Sequence, residues 1–125
     1  MSSTLLENEV GMNFQLNENQ NMIADMIRKF GKDHILPKMM EWDESQEFPV
    51  EVFKKLGELG LMGVLVPTEY GGSGFGYMEY VTAITELGSI CGSIALSMAA
   101  HNSLCTGHIM QFGNEEQKKK YLPKL

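Results

Sequence analysis

The sequence predicts an all-α domain, a bundle of five to six helices in an orthogonal or up-and-down arrangement. Three observations lead there. Apolar residues recur at three-to-four spacing in successive stretches, the period of helices with one buried face. Capping residues open those stretches and glycines close them, with Asn17 and Asn114 as starts and Gly60 and Gly113 as stops. One stretch, "SIALSMAAHNSLCTGHIMQF", is apolar almost all the way round, which suits a helix lying in the middle of other structure.

Each element follows from local chemistry. Residues 1–12 carry no hydrophobic period and are expected to be a disordered leader, leaving 13–125 as the domain. From Asn17, with Gln20 three residues on, Met22, Ile23, Met26, Ile27 and Phe30 mark the first helix. Pro37 breaks or kinks it, because proline lacks an N–H and clashes one turn back. "KMMEWDESQ" adds a short second piece. Pro49 is placed for the first turn of the next helix, whose stripe is Val52, Phe53, Leu56 and Leu59 and whose left-handed stop is Gly60. "LMGVLVP" is expected to be a short extended run, followed by the glycine-rich "EYGGSGFG". Tyr77, Tyr80, Val81, Ile84 and Leu87 give a further helix ending near Gly88. The apolar helix comes next, with Ser93 as its cap, and Asn114 opens a last one with acids in its first turn and lysines in its last. No internal repeat, low-complexity tract or linker divides the sequence.

Composition narrows the function. The 125 residues are one domain's worth, 43% hydrophobic and 21% charged, with a formal net charge of -6 that repels a phosphate backbone, so no nucleic-acid partner is expected. No apolar run reaches the ~20 residues of a membrane span, the N-terminus lacks a secretory pattern, and the cytoplasm is the default compartment. Cys91 and Cys105 lie fourteen residues apart in one helix, hence roughly 21 Å along it. Free thiols are expected, since a bridge needs Cα atoms within ~7 Å. The ten methionines are read first as core filler, with an adaptable binding surface as the alternative.

Most chemical motifs are weak. The glycines fall as G-x-G-x-G at Gly72, Gly74 and Gly76, without the strand and the later glycine that a dinucleotide fingerprint needs. His101 and His108 sit two turns apart, roughly 10 Å, too far to share one metal ion. His34 is expected to be a structural imidazole near the kink. His101 is open between a core or interface role and a cavity-lining one. Glu79 and Glu86 are spaced for paired carboxylates or for a solvated stripe, and the stripe is preferred. Ser97, Ser103 and Thr106 find no carboxylate-oriented histidine in their helix. No catalytic residue is assigned.

The order of pieces, however, resembles a known family. "ELGLMGVLVPTEYGGSGFGYMEYVTAITELG", "SIALSMAAHNSL" and "FGNEEQKKKYLPKL" are together similar to the N-terminal α-helical domain of acyl-CoA dehydrogenases, from about Phe14 to Leu125. The resemblance implies a flavoenzyme oxidising acyl-CoA to 2,3-enoyl-CoA, with FAD and the catalytic glutamate on a central β-domain and a C-terminal helical domain. The sequence halts where that β-domain would begin, so it is expected to be inactive by itself. It implies that Leu96, Ser97, Ala100, His101 and Leu104 line the acyl pocket, that the intact enzyme is a homo-oligomer, and that electron-transfer flavoprotein accepts its electrons. An acyl-CoA oxidase, a flavin monooxygenase relative of the same fold and a freestanding helical interaction module remain as alternatives.

Overall fold

A computed structural model of the protein describes residues 14–125, and the expected leader at 1–12 falls outside them. Among the described residues there are helices and turns and no strands. The helices are α1 (Glu18–His34), α2 (Met39–Ser45), α3 (Val50–Glu58), α4 (Tyr77–Ile90), α5 (Gly92–Ala100), α6 (Gly107–Phe112) and α7 (Glu115–Tyr121). A π-helical segment, His101–Thr106, joins α5 to α6 without a break, so these three form a single rod and the rods number six.

Local sequence explains most boundaries. Asn17 and Gln20 cap α1 reciprocally, each side-chain oxygen accepting the other's backbone N–H at 2.8 Å. Asn114 and Gln117 repeat the device on α7, at 3.0 and 2.9 Å. The first helix stops at His34, ahead of Pro37, and Pro49 takes the cap position of α3 rather than its first turn. Gly60 is left-handed, with φ of 77°, as expected of a stop. Helix α4 runs past Gly88 to Ile90, and Cys91 rather than Ser93 occupies the cap of α5, because an extended residue at 91 lets the next helix start at once.

The core joins Ile23, Ile27 and Phe30 of α1, Val52 and Leu56 of α3, Ala83 and Leu87 of α4, and Ile94, Ala95 and Met98 of α5. Helix α4 lies between α1 and α5 and packs on both. Gly31 permits the α1–α4 approach, since a methyl group there would meet the Ile90 side chain. Arg28 of α1 also donates from Nε (2.8 Å) and Nη2 (2.5 Å) to the two carboxylate oxygens of Glu86 on α4. Buried apolar area is the main stabilising term here, at about 25 cal/mol per Å². Most of the described methionines do fill or pad the core, Met98 within it and Met26, Met39, Met62 and Met110 packed against its clusters, whereas Met22, Met40 and Met78 are exposed. A smaller cluster of Val66, Tyr70 and Leu122 ties the C-terminal turn to the glycine loop. Tyr70 there donates its hydroxyl to Glu115 at 2.6 Å, which holds the phenol up at about 12 and pushes the carboxyl down.

Candidate functional site

The run from Leu61 to Pro67 is a chain of turns, not the extended piece its apolarity suggests. The reason is a single side chain. Asn102, 1% exposed inside the rod, accepts the Val64 N–H on Oδ1 at 2.9 Å and donates from Nδ2 to Leu61 O (2.9 Å) and Met98 O (3.0 Å). Three peptide groups are thereby met by one carboxamide, and buried backbone groups need such partners.

The glycine loop folds back on those turns. Ser73 N donates to Gly63 O, Gly74 N to Val66 O and Phe75 N to Val64 O, each at 2.9 Å. Gly71 N and Gly72 N donate to Thr68 O and Pro67 O, and Gly76 N to Glu79 Oε2. Every backbone N–H from Gly71 to Gly76 is therefore committed within the protein. A phosphate cradle works by turning such groups toward an anion. This loop does not fit the phosphates of FAD or of any nucleotide, in line with the incomplete dinucleotide fingerprint in the sequence.

The apolar rod carries the candidate acyl wall, and the structure divides the five residues assigned to it. Leu96 and Leu104 are 71% and 66% exposed, large apolar side chains left in solvent. Ala100 and His101 are half-buried between them. His101 Nε2 is buried with no hydrogen-bond partner, and burial pushes the imidazole below its ordinary value, partly opposed by the Leu125 backbone. Ser97, also half-buried, spends its hydroxyl on Ser93 O and lines a different feature. That feature is a groove of about 580 Å³ between the α2–α3 arm and the start of α5, where Trp42, Phe48, Phe53, Met39, Ile90 and Ile94 face one another. Phe48 and Phe53 stack at 4.8 Å. Sequence reasoning missed this groove because Trp42 and Phe48 come from a stretch with no clear period and Phe53 was read only as part of the α3 stripe.

The remaining candidates have structural work. Glu79 accepts from Gly76 N and from Asn17 Nδ2, and Glu86 pairs with Arg28, so the two carboxylates bind helices together rather than forming a solvated stripe. His34 lies tilted against the Phe30 ring at 5.0 Å, with Nδ1 3.3 Å from Lys55 Nζ. Cys91 and Cys105 are free thiols, as expected. No group of three or more His, Cys, Asp or Glu among the described residues could hold a metal ion, and no described helix is long and apolar enough to cross a membrane.

The domain thus combines a glycine loop whose amides are all committed with a rod that is buried on one side and exposes large apolar side chains on the other. Comparison with known proteins gives it a family. The model of the acyl-CoA dehydrogenase N-terminal domain matches residues 17–125. A probable acyl-CoA dehydrogenase of Bacillus subtilis, YngJ, is 46% identical over 114 residues, covering 91% of this chain and 30% of the relative. The mitochondrial isovaleryl-CoA dehydrogenase of Bos taurus is 44% identical over 112 residues, 88% of this chain and 26% of its own length. A solved glutaryl-coenzyme A dehydrogenase in complex with glutaryl-CoA superposes with a TM-score of 0.86 at 31% identity, over 90% of this chain and 29% of that one. The chain belongs to the acyl-CoA dehydrogenase family and corresponds to its N-terminal domain. It spans about 30% of the length of the relatives it matches.

Proposed function

We propose that this domain forms one wall of the acyl pocket of an FAD-dependent acyl-CoA dehydrogenase, which oxidises acyl-CoA to 2,3-enoyl-CoA. The observation that carries the reading is the uncovered edge of the rod: Leu96 and Leu104 lie in solvent on a helix whose opposite side, Ile94, Met98, Asn102 and Thr106, is buried. Exposed apolar patches of this kind mark binding or docking faces. A fatty acyl tail is a suitable occupant, because burying each of its methylene groups contributes about 0.8 kcal/mol. Ala100 and His101 are half-buried on the same rod, and His101 Nε2 is buried without a hydrogen-bond partner.

FAD binds in this reading to the rest of the intact polypeptide, as do the residues that carry the reaction. The glycine loop takes no part in holding it. Electron-transfer flavoprotein is the electron acceptor and the intact enzyme a homo-oligomer, both on the strength of family membership. The isolated domain neither holds FAD tightly nor turns over substrate.

The test is a transplant. This chain, replacing the matching N-terminal part of the B. subtilis relative, should yield a flavoprotein that reduces an artificial electron acceptor when acyl-CoA is added. A soluble, FAD-loaded chimera that binds no acyl-CoA would reject the reading.

A further inference from the structure

We infer that Asn102 is a positioning residue for the acyl wall: its carboxamide holds the π turn in the rod, and that turn sets the rotation placing Leu104 and Phe112 on the same edge as Leu96. This rests on the proposed reading of that edge.

The geometry is arithmetic. An α-helix turns about 100° per residue, so eight residues carry Leu104 roughly 80° away from Leu96, and sixteen carry Phe112 roughly 160° away, to the opposite side. A π turn absorbs one extra residue. The offsets then become roughly 20° for Leu104 and roughly 60° for Phe112. The exposures agree with the second case: Leu96 is 71%, Leu104 66% and Phe112 74% exposed. The buried side tells the same story from within. Ile94, Met98, Asn102 and Thr106 recur every four residues and all stay buried, whereas a regular helix would drift roughly 120° over that interval.

What keeps the turn wide is a set of side chains bonded to its carbonyls. Asn102 Nδ2 donates to Met98 O, Ser103 Oγ (2.7 Å) and Tyr80 OH (3.1 Å) both donate to Ala99 O, and Thr106 Oγ1 donates to Asn102 O at 2.9 Å. Side chains inserted into a helix ladder are an established cause of such irregularities. Tyr80 reaches in from α4, and of the rod's own side chains in this set Asn102 is the one that also bonds beyond the rod, to Leu61 O and Val64 N. It therefore fixes both the turn's width and the rod's rotation relative to the rest of the domain.

The experiment pairs a substitution with a rescue. Asn102→Leu removes the carboxamide, and deleting the exposed Ser103 in the same chain removes the extra residue, so that a regular helix restores the original alignment. In the 125-residue chain, a soluble paramagnetic chelate reports the exposure of each leucine methyl. Relaxation at Leu104 should fall several-fold in Asn102→Leu while Leu96 is unchanged, and should return in the deletion variant. In the chimera, Asn102→Leu should raise KM for a long-chain acyl-CoA about tenfold with little change in kcat for a short one, and the deletion should reverse it. If Asn102→Leu fails to fold, folding of the deletion variant supports the inference. Unchanged Leu104 exposure and KM in Asn102→Leu, or a deletion that deepens the damage, overturns it. A chimera with the native chain that ignores acyl-CoA removes the acyl reading, while the relaxation measurement still decides the role of Asn102.

Discussion

Gly72 occupies a place where a methyl group would lie 2.0 Å from the Val66 carbonyl oxygen. That contact is with backbone, which cannot swing aside as a flexible side chain can. Gly72→Ala should destabilise the domain by about 2 kcal/mol or more, read as a drop in the denaturation midpoint. A variant as stable as the parent would show that the loop is looser than described. At the same scale His101 makes stability depend on pH. Its folded-state value lies below the ordinary 6.5 because burial disfavours the charged ring. The unfolded chain then binds the proton more tightly, so stability falls as pH drops through 6.5 and levels off once the folded imidazole protonates. His101→Leu should flatten that part of the Tm profile, and an identical slope in both proteins would refute the assignment. The sequence left His101 open between a core or interface role and a cavity-lining one, and it is half-buried, with Nε2 enclosed. Asn102 went unnoticed, although an amide in an otherwise apolar helix is a signal in itself, because Asn favours local backbone bonds that compete with the helix.

Among the elements, the strongest periodicity gave the most faithful reading. The stripes of α1 and α3 appear at Ile23, Ile27, Phe30, Val52 and Leu56, with Met22 and Leu59 left exposed, and the capping boxes at Asn17 and Asn114 are both formed. The run Leu61–Pro67 was misread because apolar composition alone does not separate a strand from buried turns. Its conformation is dictated by Asn102, far along the sequence, and no local window could contain that information. Helix α4 holds the bundle by packing on α1 and α5 at once, and Leu87 lies fully buried at its centre. Leu87→Ala should cost about 3 kcal/mol, more than removing any surface ion pair. By comparison, Arg28→Gln, which removes a pairing whose arginine is largely exposed, should move the urea midpoint only slightly. The reverse ranking would mean that charge, not burial, joins the helices.

For the whole molecule, the fold class and the family were legible in the sequence, the first from periodicity and the second from strings at fixed separation. The proposed acyl wall was less so. A helical face drawn with regular α geometry groups Leu96, Ser97, Ala100, His101 and Leu104, yet the domain turns Ser97 into a separate groove and leaves Phe112 exposed as well. An uncovered edge of this size should also make the isolated domain self-associate. Leu96→Ser with Phe112→Ser should lower the apparent mass seen by sedimentation at high concentration, and equal masses would place the sticky surface elsewhere. The most direct test uses an acyl-CoA with a photoreactive diazirine near the end of its chain, irradiated on the FAD-loaded chimera and mapped by peptide mass spectrometry. Label between Leu96 and Leu104 is the expected outcome, whereas label confined to Trp42, Phe48 and Phe53, or wholly outside this domain, would contradict the assignment of the rod as the acyl wall.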